Sequence, residues 1–181
     1  MLVTLTLSRI DTTTRDGSTY SIRPVVSTDA NQIILAVKEI IDTGVFIQKE
    51  APRTLQQEQQ FIEEVNEKNN MYVAVLRNED VVGIARVLRG ELDMKRHVGI
   101  FRTWLVESAQ GLGIGKQIME YTFDWCRTNQ LRKLCLTVFA SNDVAFSLYS
   151  KYGFLEEGRQ KDQVFLNGKY DDEIWMAKFF T

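Results

Sequence analysis

Histidine, cysteine and proline are all scarce in this chain, with one, two and two copies in 181 residues. A single imidazole, His97, and two separated thiols, Cys126 and Cys135, give no zinc-ligand spacing, so no metal is expected. Covalent thiol catalysis is disfavoured, because neither cysteine has a histidine nearby in sequence and both sit in core-like patterns. Two cysteines make no disulfide framework and are expected to be buried and reduced. No apolar run approaches the length of a membrane span. The N-terminal MLVTLTLSRIDTTTR lacks the charged-then-apolar layout of a signal peptide, so a cytoplasmic location is expected. An excess of one charge is missing too. Twenty-two basic and 24 acidic residues are interspersed for a net −2, which argues against nucleic acid or a membrane as partner. With no repeat, low-complexity tract or linker, the length suits one domain over residues 1–181.

The remaining composition, 44% hydrophobic and 25% charged, is that of a globular chain, and its apolar residues are periodic. Leu2 to Ser8 alternates like a half-buried strand, and TYSIRPV after Asp16-Gly17 reads as a second. Ser27, Thr28 and Asp29 offer N-caps for a helix with Ile33, Ala36, Val37, Ile40 and Ile41 on one side and Gly44 at its end. Thr54 and Gln57 form a capping box that opens a more polar helix through Val65. MYVAVL and VVGIARVL flank a turn at Arg77 to Asp80, and HVGIFRTWLV follows as a third strand. Helical rows from Lys116 to Asn129 precede the strand LCLTVFA, the short helix NDVAFSLYSKYG stopped by Gly153, and a hairpin at Asn167-Gly168. The order ββαα-βββ-α-β-α-ββ predicts a mixed sheet with helices on its faces, an α/β or α+β fold.

Three glycines at alternate positions mark the junction between the third of these long strands and its helix, in QGLGIGK from Gln110 to Lys116. Unpaired amides and the positive helix end make such a junction an anion site. Glycine permits positive φ and leaves no Cβ between backbone and phosphate, and Lys116 would add a charge. Two other phosphate loops are excluded. Lysine stands at 116, where the dinucleotide fingerprint needs its last glycine, and Gln117 replaces the Ser/Thr of a nucleotide-triphosphate loop.

Gln110-Gly111-Leu112-Gly113-Ile114-Gly115, after a strand and before a helix, resembles the coenzyme-A pyrophosphate loop of the GNAT superfamily of N-acetyltransferases. LTVFASNDVAFSLYSKYGF, residues 136 to 154, is similar to that family's second signature. The tail EEGRQKDQVFLNGKYDDEIWM is similar to members acting on amino acids, ribosomal-protein N-termini or small amines. The likeness covers roughly residues 20 to 178 and leaves residues 1–18 as an extension. It implies a central twisted, mostly antiparallel sheet flanked by helices on both faces. It also implies acetyl-CoA as cosubstrate and a primary amine, free or at a protein N-terminus, as acceptor. A homodimer through the last strands is implied by resemblance only.

The resemblance also assigns roles. Leu105, Val106, Gln110, Gly111, Leu112, Gly113, Ile114, Gly115, Lys116, Asn142 and Tyr149 would bind the coenzyme. Asn142 and Tyr149, seven apart, would share a helix face about 10 Å long. A backbone N–H of Leu105 or Val106 would hold the oxyanion, and the Tyr149 hydroxyl would protonate the leaving sulfur. An alkyl ammonium also needs a base or water relay. Glu107, Asp93 and Glu39 read as surface charges and His97 as a structural group or relay holder, so the base stays open. Trp104, Trp125 and Trp175 read as core, with one available to line an acceptor pocket. Arg86, Arg89, Lys95 and Arg96 read as a solvated edge. Acceptor contacts are expected from residues 29 to 66. The competing reading is a non-catalytic acyl-CoA sensor of the same fold.

Overall fold

The computed structural model describes residues 8–43 and 46–181. The strand read at Leu2 to Ser8 and the helix stop at Gly44 lie outside the described residues, apart from Ser8 itself. Among the described residues, β1 (Ile10–Thr13) and β2 (Thr19–Pro24) precede α1 (Ala30–Asp42) and α2 (Leu55–Glu67). Strands β3 (Met71–Arg77), β4 (Asp80–Arg89) and β5 (Val98–Leu105) lead into α3 (Ile114–Thr128). Then follow β6 (Lys133–Phe139), α4 (Asp143–Lys151), β7 (Leu155–Leu166) and β8 (Lys169–Phe179). The strands form one mostly antiparallel sheet in the order β1-β2-β3-β4-β5-β6-β8-β7, with β5 and β6 parallel. No helix is long and apolar enough to cross a membrane among the described residues.

The chain divides into two compact units. The first holds the described residues up to Leu88 together with Arg102–Thr128. Its core joins the apolar stripes of α1 (Ala30, Ile33, Val37) and α2 (Ile62, Val65) to Tyr72, Ala74, Leu76 and Ile84 of the sheet. Trp104, Phe61 and Leu88 pack against that core half-buried. The capping box of α2 forms as expected: Gln57 N–H donates to Thr54 Oγ1, and Thr54 N–H to Gln57 Oε1. Asp29 behaves differently from a helix cap. Its carboxylate turns back to accept from Arg23 at 2.7 and 2.9 Å and from Val26 N–H at 2.8 Å. Burial alone would raise its pKa, but these donors outweigh it and hold the carboxyl below its ordinary value.

The second unit holds Arg89–Phe101 and Asn129–Thr181. There β6 pairs with β8 along its whole length, and β7 pairs with β8 across Asn167-Gly168, both at positive φ as a tight hairpin requires. Strand β7 is much longer than the VFL segment that alternation reveals, because its outer half is exposed and polar. Trp175 is a correction of the same kind. It lies on the open side of β8, 40% exposed, and its indole N–H donates to Gln160.

Candidate active site

In the first unit β5 ends at Leu105, and a short turn, Glu107–Ala109, carries the chain to the glycines. The Val106 amide donates to the Val82 carbonyl at 2.9 Å and is therefore engaged by β4. Amides alternate in direction along a strand, so the Leu105 N–H points away from β4. Of the two backbone donors, Leu105 is the one not directed at that neighbour. Its peptide is held from the other end, since Gln110 Nε2 donates to the Leu105 carbonyl at 3.0 Å. Gly83 on β4 explains how close this junction is. A Cβ there would sit 2.4 Å from Leu105 Cδ2 and 2.6 Å from the Trp104 carbonyl oxygen.

Gly111 and Gly113 take φ of 73° and 88°, and a Cβ at either would meet nothing within 4 Å. Open space above a left-handed backbone is what an external anion needs to approach the amides. The helix begins at Ile114, two residues earlier than its apolar rows suggest, so Gly115 and Lys116 lie in its first turn. The Lys116 amide donates to the Gly113 carbonyl, while the preceding first-turn amides have no intrahelical acceptor. The Lys116 ammonium stands 3.7 Å from Glu120 on the exposed face. Buried Ile114 and half-buried Leu112 anchor the turn from below.

In the second unit Asn142 precedes α4 as its N-cap, its Oδ1 accepting from Ala145 N–H at 3.1 Å. It is therefore a cap rather than one of two positions along a helix face. Its Oδ1 is committed and its NH2 is the group able to meet a ligand. Half-buried Tyr149 packs edge-on to Phe101 at 6.4 Å and tilted against Phe154 at 5.7 Å. The Tyr149 carbonyl accepts from Phe154 N–H across Gly153 at φ 83°, which closes the helix and fixes this residue's backbone.

The base candidates are all exposed. Glu39, Asp93, Glu107 and His97 lie at the surface, and His97 stands at the opposite end of β5 from Leu105. Both cysteines are buried and in no disulfide among the described residues, and burial pushes the Cys135 thiol up, away from the reactive thiolate. Among the described residues no group of metal ligands converges.

One cluster escapes sequence reasoning. Glu58 of α2, 2% exposed, accepts from the Tyr72 hydroxyl at 2.6 Å and from Arg53 at 2.9 Å. Arg53 stacks on the Phe61 ring at 3.9 Å, and Arg86 of β4 lies 5.1 Å from the same ring. Arg86 is thus no member of a solvated edge. Burial, then repulsion from Arg53, lowers its pKa, and the same two causes lower that of Lys49. Burial and then the Glu58 charge hold the Tyr72 hydroxyl well above its ordinary value, so it remains a donor. The only signal in the sequence was an arginine interrupting an otherwise apolar strand.

Residues 37–154 match the model of the Acetyltransferase (GNAT) family. The chain belongs to the GNAT family. It is 33% identical over 101 residues to an L-amino acid N-acetyltransferase of Escherichia coli, covering 55% of this chain and 62% of that protein. Against a spermidine N(1)-acetyltransferase of Vibrio cholerae it is 27% identical over 95 residues, covering 52% of this chain and 54% of the relative. In both cases the match spans less than two thirds of the relative's length. The fold is that of a GNAT superfamily phosphinothricin acetyltransferase from Sinorhizobium meliloti solved in complex with acetyl-CoA. That structure has TM-score 0.81 and 21% identity, over 89% of this chain and 88% of that one.

Proposed function

We propose that this GNAT protein is an N-acetyltransferase that moves the acetyl group of acetyl-CoA onto a primary amine by direct attack in a ternary complex. The observation that carries the reading is the glycine turn. Two left-handed glycines with empty space above them feed the N-terminus of α3, which suits the pyrophosphate of coenzyme A. Bound there, acetyl-CoA would supply an activated acyl group. The Leu105 N–H, directed away from β4 and steadied through Gln110, is assigned to donate to the carbonyl oxygen as charge develops on it. Tyr149 is assigned to give its phenolic proton to the departing sulfur, following the order of the family's second signature. The Asn142 NH2 is assigned to the pantetheine arm. With every side-chain base candidate exposed, deprotonation of the ammonium is assigned to a water relay. Two buried cysteines outside any disulfide suit a reducing compartment such as the cytoplasm.

Calorimetry with acetyl-CoA and a thiol-release assay across L-amino acids, spermidine and peptide N-termini test this together. The expected result is saturable coenzyme binding and turnover with at least one amine. Tight binding with no release from any acceptor would instead mark an acyl-CoA-binding module.

A further inference from the structure

The cluster beneath α2 holds more positive charge than it neutralises. Among the described residues Glu58 is the one carboxylate seen paired within it, and its two oxygens are engaged by Tyr72 and Arg53. Arg86 lies against Phe61, and among the described residues its guanidinium donates to no acceptor. Desolvation and repulsion from Arg53, with a smaller share from Arg102, outweigh the attraction of Tyr72 and Glu58. A guanidinium withdrawn from water without an anion is costly, and its planar fork matches a carboxylate. The position suits an acceptor. Arg86 shares a face of β4 with Ile84 and Leu88, the face that packs with half-buried Trp104 and Phe61 beneath α1 and α2. Gly83, three residues back along the same strand, lies against Leu105.

We propose that Arg86 anchors a carboxylate on the acceptor, so that the amine acetylated is that of an amino acid rather than a polyamine. Arg53 and Tyr72, both tied to Glu58, brace the Phe61 ring against which the Arg86 guanidinium lies. The proposal rests on the transferase reading above and specifies its substrate class.

The test compares the best L-amino acid acceptor with its carboxamide, its decarboxylated amine and spermidine, in the wild type, Arg86→Gln and Arg86→Lys. The wild type should prefer the acid by at least about tenfold in kcat/KM, as expected for a charge-assisted bidentate contact. Arg86→Gln should raise KM for the acid by about 10- to 100-fold. It should leave acetyl-CoA affinity and turnover of the decarboxylated amine within about threefold. Arg86→Lys should recover part of the loss. Equal use of acid, amide and amine by the wild type overturns the proposal while leaving the transferase reading intact. So does an equal loss on all acceptors in Arg86→Gln. Should no amine be acetylated, the transferase reading fails. Calorimetry of the CoA-loaded protein with N-acetyl-L-phenylalanine and its amide then decides the subsite, which requires binding of the acid alone and its loss in Arg86→Gln.

Discussion

The glycine turn and the cluster under α2 lie in the same compact unit, and the anion site proposed at each would work in opposite ways. The turn uses backbone alone: Gly111 and Gly113 hold positive φ, nothing stands above them, and the helix dipole of α3 adds its field. The cluster uses side chains alone, with Arg53, Arg86 and Lys49 crowded around the single buried carboxylate of Glu58. A backbone site binds any group of the right charge and size and needs few specific residues. A desolvated guanidinium discriminates, because a ligand lacking its anion leaves it unpaired. On the proposed function the coenzyme, common to every turnover, suits the first kind of site, and the acceptor, which must be chosen, suits the second.

If the two regions are independent, substitutions should separate them. Gly113→Val places a branched side chain at φ 88° in the open space proposed for the phosphate, and acetyl-CoA binding should weaken by at least about 100-fold in calorimetry. Retained affinity would show that the coenzyme sits elsewhere. Tyr149→Phe should touch neither binding event, yet lower kcat by about tenfold to a thousandfold in steady-state assays. An unchanged rate removes Tyr149 from the chemistry. Glu58→Ala strips the cluster of its carboxylate and leaves the buried Tyr72 hydroxyl without its acceptor. Denaturant unfolding should report a loss of about 2–4 kcal/mol, with acetyl-CoA affinity of the folded protein nearly unaltered. A matching loss of coenzyme affinity would mean that the regions are coupled. Gln110→Ala, at an exposed position, removes only the brace on the Leu105 carbonyl. It should lower kcat by about threefold with unchanged stability, measured against the same coenzyme saturation.

Much of the fold was legible because it rests on local rules. The capping box at Thr54 and Gln57, the turn at Asn78-Glu79 and the hairpin at Asn167-Gly168 are short-range chemistry, and all form where the residues indicate. The rows Ile118, Tyr121, Trp125 and Met119, Phe123, Cys126 are buried as their spacing requires. Segments whose structure depends on partners were not legible. β1 is a short strand whose IDTT segment exposes alternate residues and, among the described residues, pairs with β2 alone, and β7 runs through polar residues because β8 supplies its hydrogen bonds. Trp175 reads as core by composition, but its neighbours Ile174 and Met176 are the buried ones. Of the candidate site, the glycines and their helix were visible as a pattern. Val106's bond to Val82, Gln110's reach back to Leu105 and Asn142's role as a cap were not.

The amino-acid order alone determined where this chain turns, caps and bares its backbone, since those choices are made within a few residues by φ preference and side-chain reach. Only tertiary structure decided which charges meet. Glu58, Tyr72 and Arg86 come from separate elements, and α2 must pack on the sheet before one carboxylate can lie among three cations.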